Sequence, residues 1–242
     1  MKSGSDVMPF NEEDEAFICD QAQFNSVTSK REDWFGVRGI ELFSNRGDAI
    51  RWFESGKFYH ALGRFPEALS CYYNSIQADP TYVDSWINAG VILSTLGKYH
   101  EACSCFGKAI QINPKDPDCW YNMGCCLVKL CRYHEAIQFL DKALELNSED
   151  FMALTDKGYA LDELGKYQEA LYCYDKALSI NPRYPIAWIN KGATLQKLGK
   201  IQEAIECYKG CRRNIDPMEK NWVILVESII RKLEGQIEPG RR

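Results

Sequence analysis

Four residues recur at one phase of the chain and carry side chains suited to recognition: Asn88, Asn122, Asp156 and Asn190 follow one another at intervals of 34 residues. A carboxamide presents N–H donors and a C=O acceptor together, so a column of them is a hydrogen-bonding surface with no single preferred charge. Residues able to run a reaction are sparser. The sequence has three histidines. His100 and His134 share a phase at which other stretches carry Pro66, Gln168 and Gln202, a tolerance that marks a helix start and not a catalyst. His60 has no acid or nucleophile that spacing attaches to it. His100 with Cys103, and Cys131 with His134, lie three residues apart. No C-x-x-C pair of zinc-finger type accompanies them, so no metal site is expected. The phosphate loop G-x-x-x-x-G-K-[ST], the dinucleotide motif G-x-G-x-x-G after a strand and the G-x-S-x-G nucleophile turn are all missing. Neither catalysis nor a cofactor is therefore expected.

The elements that must position these side chains are legible as an internal repeat. From residue 49 to 218 a period of 34 residues runs five times, over 49–82, 83–116, 117–150, 151–184 and 185–218. At the fourth position stand Trp52, Trp86, Trp120, Leu154 and Trp188; at the eighth, Gly56, Gly90, Gly124, Gly158 and Gly192. The fourteenth is always leucine, from Leu62 to Leu198, and the twentieth always alanine, from Ala68 to Ala204. Steps of three and four place positions 4, 8, 11 and 14 on one face of a helix. A glycine inside a helix costs up to about 1 kcal/mol against alanine. Its return in every unit predicts a neighbouring helix too close for a side chain.

Punctuation divides each unit into two helices. Gly63, Gly97, Gly165 and Gly199 follow the first, where a left-handed cap is wanted, with Cys131 as the exception. Pro80, Pro114 and Pro182 follow the second, which proline cannot continue. Ser148 replaces that proline in the third unit, and Asp216 precedes Pro217 in the fifth. Pro66, Pro117 and Pro185 fall where helices begin. Residues 219–234, with Trp222, Val226, Ile229, Ile230 and Leu233 at helical spacing, predict a closing helix, since the last unit of a stack must hide its open surface. Residues 235–242 are expected to be a flexible tail. Residues 1–48 fit no period and are expected to be irregular and partly disordered. Their apolar run from Trp34 to Phe43 calls for a partner surface, so residues 30–45 are expected to cap the array or to occupy its groove.

Eleven cysteines would suggest a disulfide framework, but Cys71, Cys105, Cys173 and Cys207 share one phase with Phe139. Interchange of Cys with Phe indicates buried packing, and the odd count suits reduced thiols. With 45% hydrophobic and 26% charged residues the composition is globular, and a net charge of −5 without a basic stripe argues against nucleic acid. No apolar run reaches the roughly 18 residues of a membrane span and no secretory signal is recognisable, so a cytoplasmic chain without membrane insertion is expected.

The pattern resembles the tetratricopeptide repeat, whose 34-residue unit carries an aromatic or Leu at position 4, Gly at 8, a large residue at 11, Ala at 20, an aromatic at 24 and Pro at 32. Tyr72, Phe106, Leu140, Tyr174 and Tyr208 supply position 24 here. The resemblance implies an all-α fold, a right-handed superhelical solenoid of five helix-turn-helix repeats with a C-terminal capping helix. It further implies a protein-interaction module, an adaptor or scaffold whose first helices line a concave groove for a peptide or partner protein. Asn88, Asn122 and Asn190, helped by Asp156, are then the candidate contacts to the peptide main chain. The two-carboxylate clamp known in the family, which holds acidic tails, is not matched. Its three possible windows, such as Tyr121, Cys125, Asp156, Ile186 and Asn190, meet it only at the middle position where they meet it at all. Two other uses stay open: a non-catalytic subunit of a separate enzyme such as a glycosyltransferase, and a self-assembling scaffold. A monomer or weak self-association is expected.

Overall fold

The computed structural model describes residues 45–237, and the expectations for residues 1–44 and 238–242 lie outside them, including almost all of the segment 30–45. Among the described residues there are eleven helices and no strand. The chain divides into two compact units, Met1–Ile112 and Asn113–Arg242. In the first, α1 (Arg46–Ala61) pairs with α2 (Phe65–Ala78), and α3 (Val83–Thr95) with α4 (Tyr99–Ile112), while α3 also packs on α2. In the second, the pairs are α5 (Pro117–Lys129) with α6 (Tyr133–Leu146), α7 (Phe151–Glu163) with α8 (Tyr167–Ile180), and α9 (Pro185–Lys197) with α10 (Ile201–Asn214). Here α7 packs on α6, α9 on α8, and the closing helix α11 (Lys220–Ile237) on α10. The first helices α5, α7 and α9 also touch in succession.

One contact recurs in every pair. A Cβ built on Gly56, Gly90, Gly124, Gly158 or Gly192 would come within 2.5–2.8 Å of the side chain of Tyr72, Phe106, Leu140, Tyr174 or Tyr208 respectively. What excludes the side chain is therefore the position-24 residue of the unit's own second helix, which packs directly against the glycine. All five of these residues are fully or almost fully buried, as are the alanines at position 20.

The turn between paired helices is equally regular. In the first unit Arg64 N–H donates to Tyr59 O and Gly63 N–H to His60 O, each at 2.9 Å, and the same two bonds close each of the other four turns. This cap needs a left-handed residue, with φ near +70 to +75° at the four glycines and 59° at Cys131. The recurrent leucine at position 14, which the sequence places on the buried stripe, is the residue on which each first helix ends: Leu62 is 58% and Leu96 45% exposed, while Leu130, Leu164 and Leu198 are half-buried. The four cysteines at the shared phase are buried and unbridged. The closing helix buries Val226 and Leu233 against Tyr208, Cys211 and Ile215, and turns Ile224 outward.

Replacing Gly158 by Ala should cost about 1–3 kcal/mol, because the Tyr174 ring has nowhere to move. Cys131→Gly should instead stabilise by about 1 kcal/mol by relieving a side chain from the left-handed region. Urea unfolding midpoints of the two variants, moving in opposite directions, check both.

Candidate functional site

Asn88 lies on α3 of the first unit; Asn122, Asp156 and Asn190 lie on α5, α7 and α9 of the second. All four are half-buried. The fold thus brings three of the predicted residues onto first helices that touch in succession, and the fourth belongs to the other unit. Asn88 Nδ2 donates to Asp84 O and Asn122 Nδ2 to Asp118 O, both at 2.8 Å, one turn back along their own helices. Each such bond fixes the carboxamide rotamer and leaves its Oδ1 and one N–H unused. The Asn190 side chain makes no hydrogen bond among the described residues. Glu54 occupies the same phase of α1 but is exposed and paired with Lys57 at 3.2 Å.

Asp156 has a different setting. Tyr121 Oη and Cys125 Sγ, one turn apart on α5, both donate to its Oδ2 at 3.2 Å. Burial pushes the Asp156 carboxyl above the ordinary range, against the opposing pull of those two hydrogen bonds and of Lys129. Burial also pushes the Cys125 thiol and the Tyr121 phenol up, and Asp156 reinforces both shifts, so the two remain neutral donors. Tyr184, at the loop into α9, is pushed up to about 12 by burial and by Asp156. The carboxylate is therefore held through one oxygen by uncharged groups, with Oδ1 outside both bonds. Tyr121 and Cys125 were not among the predicted residues; their signal was the i, i+4 spacing that sets both on one side of α5.

Further along the same helices, Asp162 of α7 is almost fully buried and accepts from Thr194 Oγ1 of α9 at 2.7 Å. Lys197 Nζ donates to its second oxygen and to Glu163 at 3.2 Å. Two polar ties thus fix the register of the first helices in the second unit, Asp156 on one flank of α7 and Asp162 on the other. At the N-terminal ends of α5 and α7, Asp116 and Asp150 cap their helices by accepting backbone N–H bonds, and beside them Asp118 is pushed up by burial and by both of these carboxylates. That end of the face is acidic.

Comparison with known proteins matches the chain to tetratricopeptide repeats in consecutive stretches: "Tetratricopeptide repeat" over residues 83–116, 117–150 and 139–172, and "TPR repeat" over 158–199. No curated protein matches the chain. Among solved structures, MamA (41-end) from Desulfovibrio magneticus RS-1 aligns with a TM-score of 0.65 at 19% identity, over 69% of this chain and 94% of its own. YrrB, described as a TPR protein with an unusual peptide-binding site, aligns at 0.61 and 24% identity over 76% and 94%. TTC0263, a thermophilic TPR protein of Thermus thermophilus, aligns at 0.61 and 17% over 74% and 97%. At these identities the likeness is one of fold.

The setting of Asp156 has a measurable consequence. An acid whose folded-state pKa lies above its unfolded value of about 3.9 binds more protons folded than unfolded in the window between the two. Stability then falls as pH rises through that window and the penalty is complete above it. Asp156→Asn removes the penalty while keeping an acceptor for Tyr121. The stability of the variant relative to the parent should improve steadily as pH is raised from about 4 to 7. Paired urea titrations across that range test this, and a constant difference would show that Asp156 titrates as an ordinary carboxyl.

Proposed function

The chain belongs to the tetratricopeptide repeat proteins, and from that premise we propose that it is a non-catalytic interaction module that binds an extended segment of a partner protein along its first helices. The 49–218 array is taken as five repeats, and the first helices α5, α7 and α9 of the second unit form the binding face. Asn122 and Asn190 grip the main chain of the bound segment, Asp156 between them offers its Oδ1 to an N–H or a cation, and Asn88 offers the same groups as Asn122 on α3 of the first unit.

The observation that carries this reading is unspent hydrogen-bonding capacity at fixed positions. Asn88 and Asn122 are oriented by a bond to their own helix and still present an acceptor and a donor, and Asn190 presents all of its groups. These are half-buried groups on helices that the Asp156 and Asp162 ties hold in register, so little ordering remains to be done on binding. Around them stand surfaces that can select side chains: exposed Met152 and Ile186 one turn earlier on α7 and α9, the Tyr121 and Tyr184 rings, and the acidic end at Asp116, Asp118 and Asp150. That end favours segments carrying Lys or Arg and disfavours acidic tails. A peptide-binding site named for YrrB, a protein of the same fold, is consistent with such a use.

Each main-chain hydrogen bond to a carboxamide is worth about 1–1.5 kcal/mol, or close to tenfold in affinity. Asn122→Ala with Asn190→Ala should therefore weaken a captured partner by about 30- to 100-fold, and Asn88→Ala should add to the loss if the segment reaches the first unit. Affinity capture from source-cell lysate with intact and substituted chains of equal helicity, followed by titration of the partner identified, reads this. Equal binding by both would put the binding surface elsewhere on the chain.

A further inference from the structure

In three of the repeats the indole at position 4 does the same work. Trp86 Nε1 donates to Pro80 O at 2.9 Å, Trp120 Nε1 to Pro114 O at 2.9 Å and Trp188 Nε1 to Pro182 O at 2.8 Å, each reaching back to the loop that closes the preceding repeat. Two of the rings are seen to lie over their own second helices: Trp120 against Phe139 with centroids 5.7 Å apart, and Trp188 so close to Gly210 that a Cβ there would stand 2.9 Å from the indole. Lys191 lies over the Trp188 ring at 5.9 Å and is itself anchored by Asp175 at 2.5 Å.

In the fourth repeat the tryptophan is Leu154 and the residue whose carbonyl it would meet is Ser148. An open cavity of about 760 Å³ lies there, within the size range of ligand sites. Leu154, 6% exposed, is part of its lining, as are Cys173 at the phase of Phe139 and Lys176 at the phase of Gly210. The rest of the indole's surroundings is retained. Lys157 stands at the phase of Lys191 and is anchored by Asp141 at 2.5 Å, as Lys191 is by Asp175. The Ser148 carbonyl accepts no hydrogen bond among the described residues.

We infer that this cavity, between α6, α7 and α8, is a docking site for a tryptophan side chain presented by a partner protein, whose indole takes the place that the array's own Trp fills in other repeats. The occupant follows from complementarity: an apolar floor, a lysine placed to lie over a ring face, and a backbone acceptor at the place where three other indoles donate. A second cation, Lys176, lies 4.9 Å from the exposed Tyr172 ring at the rim, so an incoming ring meets an aromatic as well. The site is distinct from the carboxamide column and neither depends on the other.

The test uses N-acetyl-tryptophanamide as the probe in amide NMR titrations of the full chain, with N-acetyl-leucinamide and free L-tryptophan as comparators. The expected result is saturable shifts confined to residues 141–176, with a dissociation constant of about 0.1–1 mM and about tenfold weaker binding of the leucine analogue. Leu154→Trp fills the cavity from within and should abolish the shifts while raising the thermal midpoint. Cys173→Phe, which occupies the same space from α8, should also abolish them and serves if the first variant does not fold. Absence of shifts up to about 10-fold above the expected constant, shifts elsewhere, or unchanged binding by a folded Leu154→Trp or Cys173→Phe chain would overturn the inference. Free L-tryptophan binding far more tightly than the blocked residue would overturn the assignment to a protein segment.

Discussion

Every repeat is built around a glycine on one helix and a large side chain lying on it from the next. The glycine is costly to a helix, about 1 kcal/mol relative to alanine, and buries nothing of its own. It is offset by the side chain it admits, since full burial of an aromatic or leucine contributes about 1.5–3 kcal/mol. The approach it allows also sets how closely the two helices of a pair can meet, and the alanines at position 20, none of them exposed, keep that distance along the second helix. The constraint is steric and indifferent to polarity. Phe106, Leu140 and three tyrosines all satisfy it. The Tyr208 hydroxyl takes a bond from Gln196 at 2.7 Å, whereas the buried Tyr72 hydroxyl has no partner among the described residues.

Because that contact repeats, the face that could bind a partner is a by-product of it. Once each first helix is seated on its own second helix, the residues two positions beyond the core Trp or Leu are carried onto a common side, and the first helices of the second unit come into contact. There the polar ties of Asp156 and Asp162 take over. Each costs desolvation of a carboxylate and is offset by two donors from the adjacent helix, an arrangement that contributes more to register than to net stability. The carboxamides in between are not used in this way. Two lean back on their own helices and one is unbonded, so the groups that tie neighbouring first helices together are not the carboxamides.

The sequence made the pairing of helices legible because glycine, alanine and the left-handed caps are local requirements that recur at a fixed phase. It was misleading where one residue type serves two purposes. Leucine at position 14 has the spacing of a core residue but ends its helix, and only the cap geometry distinguishes the two. The spacing in the sequence set Tyr121 and Cys125 on one side of α5 but did not reveal their partner, which lies 31 to 35 residues away and meets them only because of how far α7 stands from α5. No periodicity encodes that distance.

Two departures from the repeat, Leu154 for Trp and Ser148 for Pro, look independent in the sequence: one a tolerated apolar exchange, the other a lost helix stop. The structure joins them, since the indole N–H and the carbonyl at the proline's position are the two ends of one hydrogen bond in three other repeats. Losing both residues together leaves a cavity with its lysine, its anchoring aspartate and its acceptor in place. A core that had closed over the missing indole would carry a larger residue at the phase of Phe139, yet Cys173 is the same small residue that stands there in the repeats of Trp86 and Trp188. A repeat protein therefore offers its own internal control: what a side chain does in three units defines what is missing in another, and the surroundings that persist there describe the shape and chemistry of the group that would fit.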